Sequence, residues 1–390
     1  MMVAPKLRFK ADDGSDFPDW EDKTLGELFH ISAGGDIDKN NCAAKQSEDY
    51  PYPVYANALV NNGTYGYANY YKIDGDTFTV TGRGDVGHAV ARHCMYVPIV
   101  RLLVCQPNMD DDVDFFAEQI NYTRVFIEST GVPQLTAPQL SKIKVKRPTL
   151  PEQRKIADLL SAVDAVIAAQ QAEVDAWEQR KKGVMQKLFS QEVRFKADDG
   201  SDFPDWEEKT LGEITGLFVG KSFTSELNKN GRYVVMDMGS VSSDGSIIDA
   251  KLTDLDRDIL RRGDLIMPKD DIGGGLIIGK TAYIPCDDKY VCGDHVYRLR
   301  FDSEIDGLFM HYEINSSGPQ RRLGRKVTGS AQLGLNSKSV SSETVSVPSL
   351  PEQRKIADCL ASMDEVIQKS KDKLAKWQEL KKGLLQQMFV

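Results

Sequence analysis

The sequence predicts an α+β protein with a pseudo-two-fold internal repeat: two mixed α/β bodies separated by two long helices that form an antiparallel coiled coil. Three observations predict it. Leu7 to Leu28 (LRFKADDGSDFPDWEDKTLGEL) returns as Val193 to Ile214 (VRFKADDGSDFPDWEEKTLGEI), at an offset of 186 and with only conservative swaps. Leu150 to Asp158 (LPEQRKIAD) returns unchanged as Leu350 to Asp358, at an offset of 200. After each LPEQ, key positions alternate in steps of four and three, the a/d pattern of a coiled coil. The chain is therefore two copies of one unit: a leading segment, a variable body and a long helix. The bodies are unlike each other, and the second is 14 residues longer. Two long copies are too few and too large for a solenoid of small repeats.

In chain order, residues 1–149 form the first body. Thr77–Thr81 (TFTVT) and Val97–Val104 (VPIVRLLV) have strand character in their β-branched residues. Residues 150–190 form the first long helix. Pro151 suits a first helical turn, and Glu152 suits its positive end. Its seam runs Ile156, Leu160, Val163, Ile167, Gln170, Val174, Trp177, Lys181, Val184, Leu188. Residues 191–349 form the second body, with strand character at Leu265–Met267, Leu276–Ile278 and Val296–Arg300. Residues 350–390 form the second helix, with the seam Ile356, Leu360, Met363, Ile367, Ser370, Leu374, Trp377, Lys381, Leu384, Met388 in the same phase. Polar breaks match, Gln170 with Ser370 and Lys181 with Lys381. Polar seam residues fix register at some cost in stability. A helix from Glu152 to Phe189 is ~57 Å long at 1.5 Å per residue. One apolar seam of that length needs a partner; the matching phase points to the other copy, with dimerisation to other chains as the alternative. Both tryptophans should be core.

Composition narrows the function. The 390 residues allow two or three domains, and 41% hydrophobic with 27% charged excludes global disorder. No apolar run approaches the ~20 residues of a membrane helix. Met1 to Asp13 lacks the apolar stretch of a secretory signal, so the expected location is cytoplasmic. The net charge of −9 excludes the chain-wide basic field of a non-specific DNA coat but leaves local patches possible. Such clusters are Lys142, Lys144, Lys146, Arg147; Arg257, Arg261, Arg262; and Arg321, Arg322, Arg325, Lys326. The six cysteines form no C-x-x-C pair and read as reduced thiols. Neither His88, His93, Cys94 nor Cys286, Cys292, His295 supplies four tetrahedral ligands, so no metal is expected.

Two motif matches fail on context. Gly274–Thr281 (GGLIIGKT) fits the phosphate-cradling G-x-x-x-x-G-K-[ST]. That motif works at a helix N-terminus, whereas Pro285 follows it closely and would break the helix. Gly82–Gly87 (GRGDVG) fits G-x-G-x-x-G but reads as a glycine-rich turn with Arg83 at its tip. No nucleophile elbow and no NPPY- or DPPY-like tetrapeptide is present, so catalysis is not expected.

Two dissimilar bodies, each followed by LPEQRKIAD and a helix ending in KKGVMQKLF or KKGLLQQMF, resemble the specificity (S) subunit of type I restriction–modification systems. The likeness spans essentially the whole chain. Pro53–Gly66 (PVYANALVNNGTYG) and Thr79–Gly87 (TVTGRGDVG) resemble loops of one target-recognition type. Leu260–Pro268 (LRRGDLIMP) and Thr328–Asn336 (TGSAQLGLN) resemble those of another. Gly131–Leu135 (GVPQL) is a loose version of the corresponding loop in the first body. The resemblance implies a non-catalytic subunit whose bodies are target-recognition domains, each reading one half of a bipartite site in double-stranded DNA. The helices would space the halves and dock two methyltransferase (M) subunits, with two restriction/translocase (R) subunits joining. S-adenosylmethionine, ATP and Mg would belong to those partners, with no cofactor in this chain.

On that reading Asn61, Asn62, Tyr65, Arg83 and Gln134 are candidate DNA contacts in the first body, and Lys221, Arg262, Lys269, Lys280, Ser330 and Gln332 in the second. Arg, Asn and Gln can read base edges, while Lys and Ser mostly position the backbone. Tyr65, Tyr67, Tyr70 and Tyr71 read as strand or core packing, with stacking on a flipped base as the alternative. Two rivals are a P-loop NTPase built on GGLIIGKT and a coiled-coil adaptor without a DNA role. Neither explains why near-identical frames carry different inserts.

Overall fold

In the computed structural model, which describes residues 5–123, 134–248, 251–329 and 332–389, the repeated motifs meet each other. Glu152 is fully buried. Its carboxylate accepts hydrogen bonds from Arg8 Nε (2.9 Å), Arg8 Nη2 (2.8 Å) and Trp20 Nε1 (3.1 Å). Glu352 repeats this with Arg194 (3.1 and 2.8 Å) and Trp206 (3.1 Å). A buried carboxylate needs such partners, because charge is costly away from water. Gln153 and Gln353 donate to Pro148 O and Pro348 O, and accept from the backbone N–H of Asp112 and Asp306. Lys155 and Lys355 reach back to Asp12 and Asp198, each at 2.6 Å. The shared sequence thus clasps each leading segment to the start of a long helix.

The chain divides into two compact units, Met1–Gln171 with Asp372–Val390, and Ala172–Lys371. In the first, an antiparallel sheet runs in the order Phe29–Ala33, Leu103–Pro107, Thr77–Val80, Ala89–Arg92. Helix Val113–Thr123 covers it, and Phe29, Phe78, Phe115 and Phe116 meet edge to face in the core. A second sheet orders Cys42–Ala43, Thr64–Ala68, Tyr52–Tyr55 and Val97–Pro98, with the last pair parallel. In the other unit the first sheet runs Gly216–Phe218, Val296–Arg300, Leu265–Pro268, Ala282–Tyr283. Its second sheet runs Leu252–Thr253, Tyr233–Met236, Tyr290–Cys292, again with a parallel last pair. Helices Gly307–Asn315 and Ser317–Arg325 follow. The two bodies therefore share a topology that their sequences conceal.

One close approach is common to both. A Cβ on Gly34 would lie 2.7 Å from the Pro98 backbone, and one on Gly220 would overlap the Cys292 carbonyl. The two sheets of each body meet there, and only glycine lets the backbones pass.

Two strand expectations are corrected. Val97–Val104 is interrupted: Val100 and Arg101 adopt φ of 53° and 59°, so the chain turns between the two sheets. Leu276–Ile278 lies in bends and a turn within a glycine-rich loop.

The long helices span Leu150–Phe189 and Leu350–Met388. In the first unit Lys381 Nζ meets Asp164 (2.8 Å) and Glu118 of helix Val113–Thr123 (3.1 Å). In the second, Lys181 meets Asp364 (2.6 Å) and Lys371 meets Glu178 (2.7 Å), a falling register that makes the pairing antiparallel. Tyr312 Oη completes the Lys181 cluster by donating to Asp364 at 2.7 Å. The polar breaks at Lys181 and Lys381 are thus ion pairs that also reach the body. Ile156 and Leu160 enter the first body's core, and Leu188, Ile356 and Leu360 enter the second's. Val163, Val174, Ile367 and Leu374 are buried, and Met363 packs against the second core. The tryptophans depart from expectation. Trp177 is half-buried beneath the Arg180 guanidinium at 4.8 Å, and Trp377 is half-buried and lines an open cleft with Leu380.

Candidate nucleic-acid interface

In the first unit, the ends of Phe29–Ala33, Leu103–Pro107 and Thr77–Val80 bring three loops to one edge. Asn57 ties them. Its amide nitrogen donates to Val100 O (2.5 Å) and its amide oxygen accepts from Gly82 N–H (2.7 Å). A Cβ on Gly82 would lie 2.9 Å from Leu135 O and 3.1 Å from Arg101 O, so the crowding requires glycine. Beyond it Arg83 stands exposed at the turn, 3.4 Å from Gln134 Oε1. Arg101 is exposed beside it. Arg83 and Gln134 are therefore brought together.

The loop Asn57–Asn62 is pinched at its base by the hydrogen bond from Ala56 N–H to Gly63 O. Arg92 props it from below. This arginine is buried, stacks 3.7 Å over the Tyr55 ring, and donates to Thr79 Oγ1 (3.1 Å) and Asn62 O (2.7 Å). Burial lowers its pKa, though Tyr55 and Tyr96 oppose that shift. Asn61 and Asn62 both adopt left-handed backbone, at φ 52° and 51°, and are exposed. Asparagine tolerates that region better than most residues. Tyr65 is 59% exposed on the next strand. Tyr70 packs into a small core, while Tyr71 leans on Tyr52 at the surface, so packing accounts for only part of the tyrosine run.

In the second unit the expected residues divide. Lys221 follows Gly220, Lys269 follows strand Leu265–Pro268, and Gln332 precedes Leu333, which pairs with Asp271. These three lie at one end of the sheet. Arg262 precedes the same strand and lies at the other end, beside Asp287. Lys280 is half-buried, and burial lowers its pKa against the pull of Asp244. Gly274–Lys280 is a loop of bends leading into strand Ala282–Tyr283, so no helix N-terminus faces GGLIIGKT. Ser330 lies outside the described residues, as do Gly131 to Pro133.

Much of the basic clustering is internal. Lys146 pairs with Asp22, Arg147 with Asp111, and both Arg322 and Lys326 with the buried Glu343. Arg257 bonds to Ser222 O and lies 4.4 Å over Phe223. His93 holds Asp76 (2.9 Å) and Asp114 (3.0 Å) with its two nitrogens. Among the described residues no group of three His, Cys, Asp or Glu is placed to hold a metal ion. No helix among them is long and apolar enough to cross a membrane. Sequence reasoning missed Asn57, Arg92 and Arg101. The signal available was Arg92, a lone charge on a strand whose register points it inward.

The chain matches the family model "Type I restriction modification DNA specificity domain" twice, over residues 18–176 and 204–376. It is 27% identical over 296 residues to the MjaVIII type I restriction enzyme specificity subunit of Methanocaldococcus jannaschii, covering 71% of this chain and 69% of that one. It is 24% identical to the MjaX specificity subunit of the same organism, covering 97% and 94%. The type I S subunit structure from M. genitalium superposes with a TM-score of 0.66 at 16% identity, covering 100% and 99%. A chain from a structure of a type I system in assembly and transition gives 0.55 at 16% identity, covering 95% and 98%. With both bodies and most of both helices inside the matched segments, the chain belongs to the type I restriction–modification DNA specificity family.

Proposed function

We propose that this chain reads a bipartite site in double-stranded DNA, one half with each body, and positions two methyltransferase subunits over it, with two restriction subunits joining the assembly in the cytoplasm. On this reading residues 1–149 and 191–349 are the target-recognition domains, and 150–190 and 350–390 are the spacer helices. One observation carries the proposal. Two bodies of the same topology stand on two near-identical clasps, yet present unlike loops at the same end of their sheets. Equal frames suit two copies of one partner, and unlike loops suit two different half-sites. Arg83, Asn61, Asn62, Tyr65 and Gln134 are the contacts in one half; Lys221, Lys269, Gln332 and Ser330 serve the other, with Arg262 and Lys280 in supporting positions. The chain contributes no catalytic group. S-adenosylmethionine, ATP and Mg act in the partner subunits.

The test is single-molecule modification sequencing of DNA from cells expressing this chain with its methyltransferase subunit. The expected result is a methyladenine motif split by a fixed gap and absent without this chain. Exchanging Gly216–Val347 for another body changes one half of the motif. A change in both halves, or no motif with the partner shown bound, overturns the proposal.

A further inference from the structure

The apex of the Asn57–Asn62 loop is unexplained by the fold. Val60 is 76% exposed and Leu59 is 45% exposed. Neither belongs to a core cluster, although the base of the loop is pinched, propped by Arg92 and tied by Asn57. A rigid support holding two apolar side chains out in water describes a contact surface. The left-handed turns at Asn61 and Asn62 set two exposed amides beside them. The charge nearby favours a polyanion: no acidic residue occurs from Tyr52 to Lys72, and exposed Arg83 and Arg101 stand on the adjoining loops against the single exposed carboxylate of Asp85 on the Arg83 turn.

Resting on the DNA-reading role above, we propose that this apex reads an A·T base pair in the major groove. Leu59 and Val60 cover the thymine methyl, and Asn61 or Asn62 bonds the adenine edge. An A·T pair is the one that offers a methyl group and a paired donor and acceptor on a single edge, matching an apolar side chain beside a carboxamide. A G·C pair offers no methyl and would leave the apolar surface against polar atoms.

The experiment sequences modified DNA from cells carrying the full complex with wild-type chain or with Leu59→Ala/Val60→Ala. The expected variant motif is relaxed at one A·T position in one half-site and unchanged elsewhere. An unchanged motif, or relaxation at a G·C position, overturns the inference. Should the variant methylate nothing, wild-type complex settles the matter on duplexes with each thymine of the motif replaced singly by deoxyuridine. One replacement should weaken binding about fourfold, the worth of one buried methyl. Losses below twofold at every position overturn the inference. Absence of any split motif with wild-type chain fails the DNA-reading role itself, which is a separate outcome from a split motif that ignores the apex.

Discussion

Arg8 meets Glu152 at 2.8 Å and Arg194 meets Glu352 at 2.8 Å, with a tryptophan at 3.1 Å in both. At the sheet ends the likeness stops. The strand pairings place Met238 where the first unit has Asn57, so the second unit cannot make that amide tie, and the matching loops are joined instead by His295 Nδ1 and Asp270 at 3.0 Å. Sequence is thus held where it fills a buried polar socket and released where it faces outward. Framework and reading surface can therefore change independently.

The largest effect should come from the clasps. Glu152→Ala strands Arg8 and the Trp20 N–H in a half-buried site, and Glu352→Ala does the same to Arg194 and Trp206. Each should cost about 3 kcal/mol, as for other broken buried ion pairs. Denaturant unfolding checks it. Losses differing between the copies by more than about 1 kcal/mol would mean that the frames are not equivalent. The seam lysines should be unequal. Lys381→Met leaves both Asp164 and Glu118 without their cation, whereas Lys181→Met leaves Asp364 still bonded to Tyr312 Oη. The expected costs are about 2 and about 1 kcal/mol. On the reading surface, Arg83→Ala should change stability by less than about 0.5 kcal/mol, since the exposed side chain makes a single hydrogen bond among the described residues, 3.4 Å to Gln134. It should weaken DNA binding by about 1–2 kcal/mol in a titration across salt concentrations. A slope reduced by about 1 marks a phosphate contact, and lost discrimination at one base marks a base contact.

How much of this was legible follows from where information is repeated. The offsets of 186 and 200 expose the frame, and four–three spacing exposes the helices. The common topology of the bodies was hidden because strands such as Ala282–Tyr283 and Val97–Pro98 are two residues long, too short for alternation to register. Basic clusters misled because Lys146, Arg322 and Lys326 find carboxylates far away in sequence. Arg83 was legible as the tip of a glycine turn, whereas Asn57 required knowing which loops converge.

The smallest expected effect concerns one pair of matched positions on the helix beneath each sheet. In the first unit Gln119 bridges the backbone of Lys146, donating to its carbonyl (3.0 Å) and accepting from its N–H (3.2 Å). In the second unit Glu313 stands in that place and accepts from Ser346 N–H at 3.2 Å. Burial pushes the Glu313 carboxyl up to about 7, the Ser346 N–H and Arg322 pull it down, and Glu343 raises it further. A protonated Glu313 has the hydrogen-bonding inventory of glutamine apart from one donor. Because the folded state holds this proton more tightly than the unfolded one, stability falls as pH rises from about 4.5 through about 7 and levels off above that. Glu313→Gln should remove that part of the slope and stabilise the second unit by about 1 kcal/mol at pH 8. Gln119→Glu should install the same slope in the first unit, read as a melting temperature that falls across that pH range. If Glu313→Gln leaves the pH dependence intact, the carboxyl is already charged at pH 6, and the two positions are alike in place but not in chemistry.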